Sequence, residues 1–333
     1  MPRQQKLRRA IISCTFCVMM GYGIFYGIVP GFGLVSAESL KPGASIKIIA
    51  LGDMPYGKPK KVYPPYEALI GAINKRNPEI VIHVGDTKGG GNCTNEILDQ
   101  QLAFMNTFNA PVLYTPGDNE WTDCYKSSRG QDEPLERLNY IRKTYFSHPN
   151  RSLGKSTIDV EHQGGAGYPE NVRLLYKDIM IMTAHIVGSN NNFNVRKISA
   201  MQEFFARNIS TIAWLKESFT KAANVKIIVI AIHADMFKSR FNKHGRERWL
   251  PHSGFAQFGT ALQAVAQAFS KPVLLIFGDS HVHKVFQPFP KFTPNVTAVE
   301  VYGHHDMHAV EIKIDTSSTK PFTFKPVWNP NLK

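Results

Sequence analysis

Four polar side chains stand within six positions of one another in the stretch Val112 to Cys124, which reads VLYTPGDNEWTDC: Asp118, Asn119, Glu120 and Asp123. A packed set of oxygen donors is what a hard or borderline divalent cation binds, although a single such stretch also reads as a solvated acidic turn. The construction recurs. Asp53 follows the apolar run SIKIIALG, Asp86 follows EIVIHVG, His233 follows VKIIVIAI, and Gly278-Asp279-Ser280-His281-Val282-His283 follows PVLLIF. A lone histidine after a strand is more often structural than a ligand. His281 and His283 beside Asp279 say more, because imidazole with carboxylate suits Zn, Fe or Mn better than Ca or Mg. His304, His305 and His308 read as a polar hairpin.

The elements that must position these groups can be read from apolar periodicity. Strands are expected at residues 45–52, 79–85 and 112–114, with helices at 64–77 and 95–108 between them, which is a parallel crossover pattern. Each of these strands ends in an acid. In open α/β sheets ligands gather beyond the carboxyl ends of strands, so three carboxylates would face one edge. Further on, the pattern predicts a helix at 134–146, a polar surface loop at 148–169 and a hairpin at 172–176 and 179–183. After these come helices at 199–223 and 254–269 and strands at 225–232, 272–277, 297–302 and 308–314. No P-loop, GxGxxG or GxSxG pattern occurs, so nucleotide-driven, nicotinamide and serine-hydrolase chemistry gain no support.

The chain has 333 residues and a formal net charge of +13. Such a balance suits anionic partners, among them phosphate compounds, nucleic acid and anionic membrane surfaces, without choosing among them. Arg3, Lys6, Arg8 and Arg9 precede a long apolar run that ends in Val35-Ser36-Ala37, and no acid appears before Glu38. Residues 1–37 therefore read as a signal peptide, or as an uncleaved membrane anchor. Either would make the protein exported: periplasmic, secreted, or held at the membrane by this segment. Without those four basic residues the charge falls from +13 to +9. Two cysteines remain in the body, and in an oxidising compartment Cys93 and Cys124 are expected to pair; two separate thiols are the alternative.

In order, Gly52-Asp53-Met54-Pro55, Gly85-Asp86, Gly117-Asp118-Asn119-Glu120, His233 and Gly278-Asp279-Ser280-His281 resemble the motifs of the calcineurin-like metallophosphoesterases. That family carries Asp-x-His, Gly-Asp, Gly-Asn-His-(Asp/Glu), a lone His and Gly-His-x-His, each after a strand. The wording GDNEWTDC and GDSH is similar to a divergent bacterial branch. The resemblance implies a four-layer αββα sandwich over residues 45–315, followed by a tail at 316–333. It implies two divalent metal ions (Mn, Fe, Zn or Mg), the first on Asp53, Asp86 and His281. The second would lie on Asp86, Asp118 or Asn119, His233 and Asp279, with Asp86 bridging. Metal-activated hydroxide would attack the phosphorus of a phosphorylated small molecule.

The chain departs from the family pattern at four places. Pro55 and Asp279 replace histidines, Asp118 replaces an asparagine, and Asn119 stands where a histidine usually assists the leaving group. The extra carboxylates favour harder metals, and His283 is the candidate substitute acid. A phosphodiesterase or nuclease, and a non-catalytic phosphate-binding protein with a degenerate site, are the alternatives. Lys58, Lys60, Lys61 and a second basic loop (Arg240, Lys243, Arg246, Arg248) are candidates for meeting phosphates.

Overall fold

The computed structural model describes residues 45–237 and 253–332. The expected leader and the basic loop from Arg240 to Arg248 lie outside the described residues. The chain runs β1 (Ser45–Leu51), α1 (Pro59–Arg76), β2 (Ile80–His83), α2 (Asn95–Met105), β3 (Val112–Tyr114), α3 (Pro134–Tyr145), β4 (Glu161–Gln163), β5 (Tyr168–Tyr176) and β6 (Ile179–Thr183). It continues with a single turn, α4 (Gly188–Asn191), then α5 (Ile198–Lys221), β7 (Ile227–Ala231), α6 (Ala256–Phe269), β8 (Val273–Phe277), β9 (Lys284–Phe286), β10 (Val296–Glu300), β11 (Ala309–Asp315) and β12 (Phe322–Val327).

Two sheets form. One has the order β12-β11-β1-β2-β3, the other β4-β5-β6-β7-β8-β10-β9. The parallel runs are β1-β2-β3, which reaches one edge of the first sheet, and β6-β7-β8-β10, in the middle of the second; antiparallel strands form the other edge of the first sheet and both edges of the second. The strands are apolar on both faces because both faces are covered. Ile48 and Ala50 point inward to meet Ile181 and Val229 of the other sheet, while Ile49 and Leu51 point outward onto Tyr66, Leu69 and Ile73 of α1. Along β7, Ile227 and Val229 share that inner core, and Ile228 and Ile230 pack with Trp214 and Leu215 of α5 and Leu262 of α6. The layers are therefore helix, sheet, sheet, helix, the expected sandwich.

Several boundaries differ from the sequence reading. Helix α1 begins at Pro59, not at residue 64: proline is tolerated in a first turn, and Pro64 and Pro65 lie inside the helix without ending it. The expected surface loop at 148–169 contributes β4, which pairs with β5. Residues 316–333, expected as a tail, supply β12. It pairs with β11 from Ala309↔Val327 to Ile314↔Phe322 and forms the edge of the first sheet. Cys93 and Cys124 are joined as expected, with Cα atoms 5.9 Å apart, tying the loop after β2 to the loop after β3. Among the described residues no helix is long and apolar enough to cross a membrane.

Candidate metal centre

Asp53, Asp86, Asp118, His233 and Asp279 all follow parallel strands, at the carboxyl ends of β1, β2, β3, β7 and β8. The backbone there is unusual: Asp53, Asp86, Asp279 and His281 have φ of 55°, 52°, 76° and 64°. Non-glycine residues adopt this left-handed region at a cost, and such cost concentrates at functional sites. Glycines make room for the carboxylates. A Cβ on Gly117 would lie 2.1 Å from Asp86 Oδ1, one on Gly278 2.2 Å from Asp53 Oδ2, and one on Gly188 2.3 Å from Asp118 Oδ1 and 2.9 Å from Asp279 Oδ1.

Two groups of donor atoms result, each within 4.8 Å: Asp53, Asp86 and His233, and Asp118, His233 and Asp279. His233 lies within reach of both, and its one free lone pair, at Nε2, can serve one ion. Backbone and side-chain donors hold the carboxylates in place. The Asp279 N–H donates to Asp53 Oδ1 at 3.0 Å, and the Asn119 N–H donates to Asp86 Oδ1 at 2.9 Å. Tyr56 Oη and Asn119 Nδ2 donate to Asp86 Oδ2 at 2.6 and 2.5 Å. Ser189 Oγ lies 3.0 Å from Asp118 Oδ2, and the Asp235 N–H donates to Asp279 Oδ2 at 3.2 Å.

His233 tests whether the set fits a cation. Its Nδ1 lies 2.8 Å from the Val84 carbonyl, which can only accept, so Nδ1 carries the hydrogen. Its Nε2 then faces Asp118 Oδ1 at 3.0 Å and Asp86 Oδ1 at 3.4 Å. A lone pair aimed at two carboxylates is repelled, so a proton or a metal must lie between them. Metal-binding histidines commonly donate their other N–H to a carbonyl in this way. Burial pushes the Asp53 and Asp86 carboxyls well above the usual range, with neighbouring acids adding to it and His233 opposing. Burial also raises Asp118, but the hydrogen bond and charge of His233 outweigh it and hold that carboxyl at about 2. Burial lowers His233, yet the carboxylates, Asp86 foremost, leave it well above the usual imidazole range. A buried site so rich in carboxylates is one that divalent cations fit.

His281 stands beside the first group, its Nε2 3.5 Å from Asp53 Oδ1 and its Nδ1 2.8 Å from His304 Nδ1. His283 is not brought to the carboxylates: its Nδ1 lies 2.7 Å from the Glu300 carbonyl and its ring stacks on Tyr302. Asn119 is occupied by Asp86, Tyr56 and Arg129. Glu120 is turned inward, accepting from the Thr87 N–H at 2.7 Å and from Tyr114 Oη at 3.2 Å. Lys58, Lys60 and Lys61 are exposed at the start of α1. The sequence reading missed Tyr56 and Arg129, whereas Ser189 lies in residues 188–192, which read from the sequence as a turn or a ligand-facing loop. Tyr56 and Arg129 lie in segments with no periodicity to mark them, and only Arg129, ten positions beyond Asn119 and just before a glycine, carries a charge that hints at a role.

A sequence model of the calcineurin-like phosphoesterase family matches residues 46–283. The chain belongs to that family. It is a metal-dependent hydrolase of phosphoric esters. No curated protein matches it. Among solved structures it is similar to GAP50, the anchor in the inner membrane complex of Plasmodium, at 8% identity and TM-score 0.50, covering 87% of this chain and 86% of that one. That likeness shows a shared fold. A dimetal phosphatase from Danio rerio follows, at 10% identity and TM-score 0.47, covering 85% of this chain and 99% of that one. A 5'-nucleotidase from Candida albicans also matches, at 12% identity and TM-score 0.45, covering 84% of this chain and 50% of that one.

Proposed function

We propose that the protein is an exported phosphatase of small phosphorylated molecules. Its metal ligands would be Asp53 and Asp86, with His281 alongside, and Asp118 and Asp279, while His233, with one free lone pair at Nε2, would serve one of the two ions. The observation that carries this is His233 Nε2, held at once to Asp118 and Asp86 by an imidazole whose other nitrogen is committed to a backbone carbonyl. Two divalent metals there would supply Lewis-acid charge for a phosphoryl oxygen and lower the pKa of a water. The chain's own part is positional. Tyr56 and Asn119 fix Asp86, Ser189 fixes Asp118, and the Asp279 N–H fixes Asp53, so that the donors are preorganised. The carboxylate-rich set favours Mn, Fe or Mg over softer ions.

Export is supported by the basic-then-apolar leader and by a disulfide whose two cysteines are fully buried, since such bonds persist in oxidising compartments. The test is a panel of phosphomonoesters and phosphodiesters, run with Mn, Fe, Zn and Mg added back to metal-free protein. Monoester turnover that requires added metal and is lost in Asp86→Asn is expected. Turnover confined to diesters would move the assignment to a phosphodiesterase, and metal-independent turnover would overturn it.

A further inference from the structure

Arg129 ends a short 3₁₀ turn, Ser127–Arg129, which Gly130 stops at φ 99°. The Arg129 N–H donates to the Lys126 carbonyl at 2.8 Å, and the Asp132 N–H returns to the Cys124 carbonyl at 3.0 Å, beside the disulfide. The backbone that carries Arg129 is thereby fixed, and two routes lead from its guanidinium to the carboxylates. Nη1 donates to Asn119 Oδ1, and the same amide donates through Nδ2 to Asp86. Nη2 lies 3.3 Å from Asp123 Oδ2; the other oxygen of Asp123 accepts from Ser189 Oγ at 2.8 Å, and that hydroxyl is shared with Asp118. A planar cation is thus linked to both donor groups, through Asn119 to Asp86 and through Asp123 and Ser189 to Asp118.

A guanidinium carries five N–H donors in a fork that matches phosphate oxygens. Among the described residues, Asn119 and Asp123 take two at most, and the side chain is 17% exposed. The neighbouring Lys88 differs. It is 4% exposed and its ammonium donates to the carbonyls of Gly89 and Asn119, both at 2.9 Å, so it holds the turn together.

We propose that Arg129 grips the phosphoryl oxygens of the substrate, and that the site consequently selects phosphate esters whose leaving group departs as a stable anion. The inference rests on the phosphoesterase reading of the site. Neither a guanidinium nor the Asn119 amide releases a proton near neutral pH, so charge can be stabilised at that position but not neutralised by proton transfer. Water oxygen bonds to phosphorus and its proton passes to solvent. The bond from phosphorus to the leaving oxygen breaks, and that oxygen keeps the electron pair. Phosphoanhydrides and aryl phosphates meet this demand, and simple alkyl phosphates do not.

The experiment uses the full chain loaded with Mn. It measures metal content, thermal midpoint, inorganic phosphate binding by calorimetry, and kcat and KM on aryl phosphates of graded leaving-group pKa. Arg129→Gln should keep its metal and its midpoint, yet bind phosphate about 10–100-fold more weakly, the worth of one or two charge-assisted hydrogen bonds. It should lose ~10²–10³-fold in kcat/KM, with Arg129→Lys recovering part of the loss. Wild-type rates should fall steeply as leaving-group pKa rises. Phosphate affinity unchanged in metal-loaded Arg129→Gln, or activity lost only in step with lost metal, would overturn the assignment, leaving Arg129 as a residue that merely positions Asn119. A flat dependence on leaving-group pKa would overturn the selectivity. If the wild type binds phosphate through Arg129 but hydrolyses no ester, the phosphoesterase reading fails while the grip stands.

Discussion

Replacing Gly117 by alanine adds one methyl group behind Asp86, and the outcome can be worked out from the coordinates. The new Cβ would sit 2.1 Å from Asp86 Oδ1 and 2.4 Å from the Asp86 backbone nitrogen. Heavy atoms do not approach a Cβ closer than about 3.0 Å, the closest separation at which packed side chains are observed. Rotating the Asp86 side chain relieves only the first contact, so the two strand-end loops must part by several tenths of an ångström. Overpacking of this kind costs about 1–3 kcal/mol, which lowers the thermal midpoint by about 2–10 °C in a domain of this size. Function should suffer more, because Asp86 also meets His233, Asn119 and Tyr56. Misplacement on the order of 1 Å costs ~10²-fold in rate.

The control lies in the same molecule. A Cβ on Gly71, inside α1, meets nothing within 4 Å. Gly71→Ala should therefore gain about 0.5–1 kcal/mol, through helix propensity alone. Thermal melts, metal content and phosphomonoester turnover, measured on both variants, check the pair. If Gly117→Ala binds metal and turns over like the wild type, the carboxylate cradle is not what the site depends on and the argument from its geometry is wrong.

Mn added at a hundred times its dissociation constant should stabilise the metal-free protein by about 2.7 kcal/mol, read as a rise in melting temperature. The rise should shrink as pH falls, because burial makes Asp53 and Asp86 take up protons more readily than ordinary carboxylates, and a chelator should reverse it. Glu170 is fully buried, with Arg142 at 2.6 Å and His185 at 2.7 Å; burial raises its carboxyl, but the His185 hydrogen bond and Arg142 outweigh that and hold it down, from 4.5 to about 2. A depressed carboxyl contributes fully above the unfolded value and loses its contribution as pH falls from 4.5 towards 2. Denaturation should therefore ease by about 3 kcal/mol across that window, and Arg142→Met should weaken that dependence while costing about 3–5 kcal/mol at neutral pH. Removing the disulfide in Cys93→Ala/Cys124→Ala, a bridge across 31 positions, should cost about 3–4 kcal/mol in denaturant titrations.

Apolar runs carried most of the fold in the sequence, because buried parallel strands must be apolar on both faces. SIKIIALG and VKIIVIAI could hardly be anything else. The short edges were not legible. Strand β12 alternates exposed threonine and lysine with half-buried phenylalanines, and its pairing depends on β11 being open to receive it. Helix α1 reads short from the sequence because proline is a start signal, although packing of Tyr66, Leu69 and Ile73 onto the sheet outweighs the donors lost at Pro64 and Pro65.

The strand-end acids were legible for a different reason, which is also why their neighbours were not. A parallel strand delivers its last residue to a known edge, so Asp53, Asp86, Asp118 and Asp279 could be placed from topology before any side chain was seen. What lies beyond the strand end depends on left-handed backbone and on glycines that give way to a carboxylate, and neither is encoded by spacing. His281 and His283 show the difference. They are two positions apart in one motif, yet positive φ at Asp279 and His281 turns the chain so that His281 stays beside Asp53 while His283 goes to the Glu300 carbonyl. The irregular loop after Asn119 likewise brings Arg129 back to it across ten positions. An acid counted from the sequence therefore marks where charge must be balanced, and the irregular loops, which the sequence leaves open, decide what balances it.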